Sequence, residues 1–135
     1  LVHGPMAGVA PLSLAAAKLL GPGGSLMLAG DDIDSAGDVN GDGDLDVIIG
    51  KSLSRDKSAW EGRAWLVHGP LSGKRYLEDA DATFIGTTNN DEAGISVAGA
   101  GDLNQDGFDD VLIGAPGWSG GTYHGAVYVL FGGAM

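Results

Sequence analysis

Apolar residues along this chain gather in short runs that end in glycine. Asp-Val-Ile-Ile-Gly closes at Gly50, and Asp-Val-Leu-Ile-Gly closes at Gly114. The segments 63–69, RAWLVHG, and 126–132, AVYVLFG, mix aromatic and aliphatic residues. Such brief runs, rich in β-branched residues and bounded by Gly, Asn, Asp and Pro, predict β-strands. The segments 95–101, ISVAGAG, and 82–86, ATFIG, are weaker strand candidates. One segment competes as a helix: PLSLAAAKLL, Pro11 to Leu20, has a proline at its first turn and good helix formers after it. Its counterpart LEDADATFIG, 77–86, carries Thr83, Phe84 and Ile85 where a helix would end. Both are read as irregular lead-ins to a strand, with a short helix possible in the first copy.

The pattern occurs twice. Acidic loops begin at Asp38 and Asp102, 64 residues apart, and the match extends to both sides. AGDDIDSAGDVN from Ala29 corresponds to AGISVAGAGDLN from Ala93, and GRAWLVHG from Gly62 to GAVYVLFG from Gly125. The opening LVHGP returns at Leu66 to Pro70. The chain therefore divides into residues 1–4, the end of a preceding unit or a ring-closing strand; a first unit, 5–69; a second, 70–133; and a tail, 134–135. Up to four short strands per unit cannot cover both faces of a sheet, so stacked sheets are expected, as radial blades or a longer array.

Composition narrows the function. The 135 residues suffice for one domain with a modest core. The 25 glycines point to many tight turns, and 44% hydrophobic residues argue against disorder. With 18 acidic and 7 basic residues the formal net charge is -11, which opposes nucleic-acid binding. There is no cysteine, which removes disulfides, thiolate metal sites and a cysteine nucleophile. No apolar stretch is long enough for a membrane-spanning helix, so no membrane insertion is expected. The chain opens on strand-like residues at Leu1, so a missing export signal carries no weight.

The loops carry the candidate chemistry. Asp38, Asn40, Asp42 and Asp46 fall at relative positions 1, 3, 5 and 9; Asp102, Asn104, Asp106 and Asp110 fall at the same places in the second loop. Gly43 and Gly107 hold position 6, where a sharp turn needs glycine. Asp44 and Phe108, at position 7, can each add a backbone carbonyl. Alternate oxygen donors on a tightly coiled loop suit calcium, one ion per loop and two in all, better than magnesium, zinc or copper. Solvated turns would also use Asp, Asn and Gly. Two copies in matched register, with every ligand position filled, favour cation sites. Ile49 and Ile113 stand where an EF-hand would carry its glutamate, and a strand follows instead of a helix. A structural cation is therefore expected rather than a helix-opening sensor.

These residues together resemble the FG-GAP repeats of integrin-alpha-type β-propellers. The segments 93–116 and 125–132 carry the likeness best, and 29–50 with 62–69 repeat it. The resemblance implies an all-β fold of four-stranded antiparallel propeller blades. Two such blades are expected here, as a fragment of a propeller or as a unit that assembles into a closed ring. It also implies calcium at Asp38, Asn40, Asp42 and Asp46 and at Asp102, Asn104, Asp106 and Asp110. The chain departs from the family motif at Ala29-Gly30 and Ala93-Gly94, where Phe-Gly is usual. Gly114-Ala115-Pro116 is intact, whereas the first unit has Gly50-Lys51-Ser52.

No catalytic constellation stands out. His3 and His68 occupy equivalent repeat positions, which favours a structural role, and Ser13, Ser25, Ser52 and Ser96 lack a nucleophile setting. Trp65 and Tyr128 are equivalent strand positions expected between blades. Trp60, Trp118 and Tyr123 lie in links and could meet sugar or protein. The leading reading is a noncatalytic calcium-binding propeller module with a rigid surface for adhesion or protein interaction. Its expected partners are other copies or remaining blades of a longer chain, with a protein or glycan ligand. A carbohydrate-binding propeller and a noncatalytic segment of a larger extracellular enzyme are the alternatives. Calcium sites of this kind fit an extracellular or cell-surface setting.

Overall fold

The computed structural model describes residues 11–23, 29–53, 60–119 and 124–134. The readings placed on residues 1–4, His3, Ser25, Tyr123 and Met135 lie outside them. The described residues form nine short strands and two 3-10 turns, Leu12–Leu14 and Leu77–Asp79. The strands are β1 (Ala17–Leu20), β2 (Asp32–Gly37), β3 (Asp46–Lys51), β4 (Arg63–Val67), β5 (Gly73–Tyr76), β6 (Ala82–Ile85), β7 (Ser96–Gly101), β8 (Asp110–Ala115) and β9 (Ala126–Leu130). The fold is all-β, and its two larger sheets are antiparallel meanders of propeller-blade type. The first runs β2-β3-β4-β6, the second β7-β8-β9. These sheets do not close into a ring among the described residues.

Internal repetition survives in three dimensions. In each larger sheet the first hairpin slips register just before the acidic loop, between Ser35 and Gly37 and between Gly99 and Gly101. That bulge bends the strand where the loop departs. The two 3-10 turns recur at equivalent places, each followed after two residues by a four-residue strand, β1 or β6. PLSLAAAKLL is therefore a turn leading into a strand, not a helix, and Lys18, Leu19 and Leu20 take the extended form.

Sheet boundaries and repeat boundaries do not coincide. The first sheet spans residues 32–85, so the division between residues 69 and 70 falls inside it. β6 was expected to belong to the second unit but pairs with β4, Arg63 opposite Ile85 and Leu66 opposite Ala82. The second sheet is three-stranded among the described residues rather than four. One strand was not expected at all. β5, Gly-Lys-Arg-Tyr, shows no apolar alternation, yet it pairs in parallel with β1, Ala17 opposite Gly73.

Alternation along β3 and β4 sends side chains to two cores. Ile48, Ala64 and Leu66 face the second sheet, joining Ala36, Val39, Val97, Val111, Ile113 and Ala115. Phe84, Trp118, Tyr128 and Leu130 pack against that cluster. Ile49, Trp65 and Val67 face the other way and meet Leu77, with Leu19 and Leu71 beside them. Trp65 and Tyr128 thus pack between layers, as expected for equivalent strand positions.

Backbones also approach closely across the first core. A Cβ added to Gly99 would run into the carbonyl of Ser35, and one at Gly50 into that of Gly94. β2 and β7 share no ladder. Asp32 accepts the Val97 N–H at 2.9 Å and Asp34 the Gly99 N–H at 3.2 Å, so side-chain carboxylates satisfy the edge of β7. A local exchange accounts for the altered motif in the first unit. Lys51 Nζ contacts Asp31 at 2.7 Å, and Ser52 donates to Asp31 through both N–H and hydroxyl. The repeat equivalents of Asp31 and Lys51 are Ile95 and Ala115, so the charged pair replaces an apolar one.

Another carboxylate, Asp91, is buried at a link between the sheets and accepts the N–H groups of Thr87 and Thr88 at 2.5 and 2.7 Å, with both threonine hydroxyls. Burial alone would raise its pKa, but the combined hydrogen bonds from Thr88 and Thr87 hold it below the ordinary 3.8. A depressed carboxyl contributes stability that is present above its unfolded value and lost as pH falls through its folded value. Resistance to urea is therefore expected to fall as pH drops below about 4, and Asp91→Asn should flatten that dependence while lowering stability at neutral pH. A second test addresses packing. Ile48→Ala should cost about 2–5 kcal/mol, read as a lower urea midpoint, whereas Ile33→Ala, on an exposed side chain, should change it by under about 0.5 kcal/mol.

Candidate functional site

Both acidic loops fold into the same coil, between β2 and β3 and between β7 and β8. In the first, Asp38 accepts the N–H groups of Gly41, Asp42 and Gly43 at 2.8, 3.0 and 2.9 Å. Asn40 Oδ1 accepts the Asp42 N–H at 2.9 Å, and Asp42 accepts the Asp44 N–H at 2.8 Å. In the second, Asp102 accepts from Asp106 and Gly107 at 3.0 and 2.8 Å, Asn104 from Asp106 at 3.1 Å, and Asp106 from Phe108 at 3.0 Å. Short polar side chains that bond their own backbone ahead are what coil such a loop. Gly43 and Gly107 turn it with φ of 89° and 95°, which a side chain would strain.

The coil brings positions 1, 3 and 5 together. Asn40 Nδ2 donates to Asp42 Oδ2 at 2.9 Å, and Asn104 Nδ2 to Asp106 Oδ2 at 2.8 Å. The Asp44 N–H, and then the Asn40 amide, favour the charged form of Asp42 and lower its pKa from 3.8. Position 9 is different. Asp46 and Asp110 are fully buried at the first residues of β3 and β8. Asp46 accepts Val39 N–H and Gly69 N–H, each at 2.9 Å; Asp110 accepts Leu103 N–H at 2.8 Å and Gly132 N–H at 2.9 Å. Among the described residues no three His, Cys, Asp or Glu side chains stand together so as to hold a metal as placed. Asp44 is exposed at position 7, while Phe108 is half-buried against the first loop.

The donor set fits a hard cation. Every side-chain donor at positions 1, 3, 5 and 9 can present oxygen, Asn40 and Asp42 are already in contact, and a carboxylate offers about four lone-pair sites, more than Asp46 or Asp110 uses. Calcium tolerates such a flexible set of oxygens.

Sequence reasoning missed Asp109, at position 8. Its carboxylate accepts the Asp38 N–H at 2.8 Å, and its own N–H donates to the Asp38 carbonyl at 3.0 Å. The signal was present as an extra aspartate without a counterpart, Leu45 standing at position 8 of the first loop. His68 is buried beside a structural group: its backbone N–H donates to Asp81 at 2.7 Å, and Arg75 bonds both the His68 carbonyl and Asp81. Among the described residues no helix is long and apolar enough to cross a membrane.

Residues 28–67 and 93–130 match the family model described as FG-GAP repeat. Among curated proteins the chain is 37% identical over 101 residues to Integrin alpha-5 of Xenopus laevis, covering 73% of this chain and 9% of that protein. It is 34% identical over 100 residues to Integrin alpha-IIb of Mus musculus, covering 70% and 10%. With Integrin alpha pat-2 of Caenorhabditis elegans it shares 37% over 105 residues, covering 70% and 8%. The chain thus spans 8–10% of the length of these relatives.

Replacing Asp46 removes the acceptor of two backbone N–H groups, one in a buried and one in a partly buried bond, whether or not a cation is bound. Asp46→Ala is expected to lower stability by about 3 kcal/mol in the presence of chelator, measured by urea unfolding; an unchanged midpoint would refute the clasp.

Proposed function

Because the chain belongs to the FG-GAP repeat family, we propose that it is a noncatalytic, calcium-binding β-propeller module that offers a rigid surface for adhesion or protein interaction. One observation carries the calcium reading: the same oxygen-bearing coil is built twice, with the same bonds, at the same place in two sheets. Asp38, Asn40, Asp42 and Asp46 would hold one ion with the Asp44 carbonyl; Asp102, Asn104, Asp106 and Asp110 would hold the second with that of Phe108. Bound calcium supplies charge that offsets the crowded carboxylates. The position-9 carboxylates would serve from beneath, each with lone pairs beyond those its N–H partners use.

The blade stacking supports a place beside further blades. Residues of the second sheet equivalent to Ala64 and Leu66 of the first are Val127 and Val129, and both are exposed. In the first sheet those positions are covered by the neighbouring sheet. The second sheet therefore carries an apolar face that a further blade fits, supplied by a longer chain or by another copy. The names of the relatives favour a cell-surface or extracellular setting, and a protein or glycan ligand would meet the assembled ring there.

Calorimetric titration of the chain with calcium is expected to give two ions per chain. Saturating calcium should raise the melting temperature, with chelator reversing the rise, and magnesium should act more weakly. Absence of both heat and melting shift would sink the calcium reading.

A further inference from the structure

Asp109 is not a ligand position, yet it joins the two loops. Its carboxylate and its N–H form a reciprocal pair with residue 38, at 2.8 and 3.0 Å, so position 8 of one loop is fixed to position 1 of the other. Its neighbour Phe108 lies over Gly41, where an added Cβ would come within 2.5 Å of the ring. Gly133 N–H donates to the Val39 carbonyl at 2.9 Å, and Gly132, next to it, is held by Asp110. Backbone at 38, 39 and 41, in the ligand-bearing half of the first loop, is thus held by the second blade.

We propose that the two loops bind calcium cooperatively, with Asp109 as the positioning residue that couples them. This rests on the calcium reading above. Fixing the coil from Asp102 to Asp110 fixes position 8, and position 8 sets the backbone of Asp38. The Asp38 carboxylate in turn organises the N–H groups of residues 41 to 43. Occupancy of the second loop therefore pre-orders the first, and by linkage the first favours the second equally. The coupling follows the order of the blades. Leu45, the equivalent of Asp109, is exposed and presents no carboxylate.

The test follows each loop separately through the amide signals of Gly43 and Gly107 during calcium titration of nitrogen-labelled chain. Asp106→Ala, which removes a donor from the second loop, is expected to shift the Gly43 midpoint to calcium concentrations about fivefold or more higher. In an Asp109→Ala background, Asp106→Ala should no longer move it. Asp109→Asn keeps an oxygen for the Asp38 N–H without the charge and should restore coupling. A Gly43 midpoint indifferent to Asp106→Ala would overturn the proposal, as would an asparagine variant that behaves like alanine. A second measurement does not depend on any Asp109 variant folding: in Asp42→Ala, calcium should slow hydrogen exchange of the Asp38 amide, and an unchanged rate would overturn the coupling. Calcium that moves neither glycine in the unaltered chain would instead overturn the calcium reading, and the coupling with it.

Discussion

A buried carboxylate that starts a strand and grips two backbone N–H groups organises each blade. Asp46 reaches back to Val39 in the loop before it and across to Gly69 after β4; Asp110 does the same with Leu103 and Gly132. Each clasp fixes where a hairpin begins, how its loop coils and where the third strand ends. A charge in such a place is costly unless hydrogen-bonded, and loss of the acceptor would leave donors unsatisfied. The loop's outer side chains can remain polar and exposed because the inner one carries the structural load.

The same economy of side-chain oxygen governs contact between the sheets. β2 and β7 lie close enough that Gly99 tolerates no side chain against Ser35. Where a backbone ladder is absent, Asp32 and Asp34 stand in for it. Asp91 closes the link that follows β6 through four donors from Thr87 and Thr88. Much of the chain's acidity is therefore structural, with carboxylates bonded to backbone as well as clustered at the loops.

Strands, repeat period and loop positions could be read from the sequence because each rests on local chemistry. Apolar runs ending in glycine gave β3, β4, β8 and β9, and alternate Asp and Asn residues gave the loop coil. What could not be read depends on distant partners. β5 has no strand pattern and owes its form to β1. Allegiance of β6 to β4 is decided by sheet pairing, which a repeat alignment does not reveal. Position 9 was legible as a donor but not as a buried clasp, since Gly69 and Gly132 lie 23 and 22 residues beyond Asp46 and Asp110. Asp109 escaped because its partner is in the other loop.

A repeat divided between residues 69 and 70 is out of step with the first sheet, which runs from residue 32 to residue 85. Residues 70 to 85 follow the first repeat in sequence yet supply β6, the outer strand of its sheet, while residues 96 to 130 build the next sheet. A block cut between residues 69 and 70 would part β6 from its partner β4. Neighbouring blades are interlocked like overlapping tiles, and repeat number changes without leaving a cut edge only when whole tiles are exchanged in register.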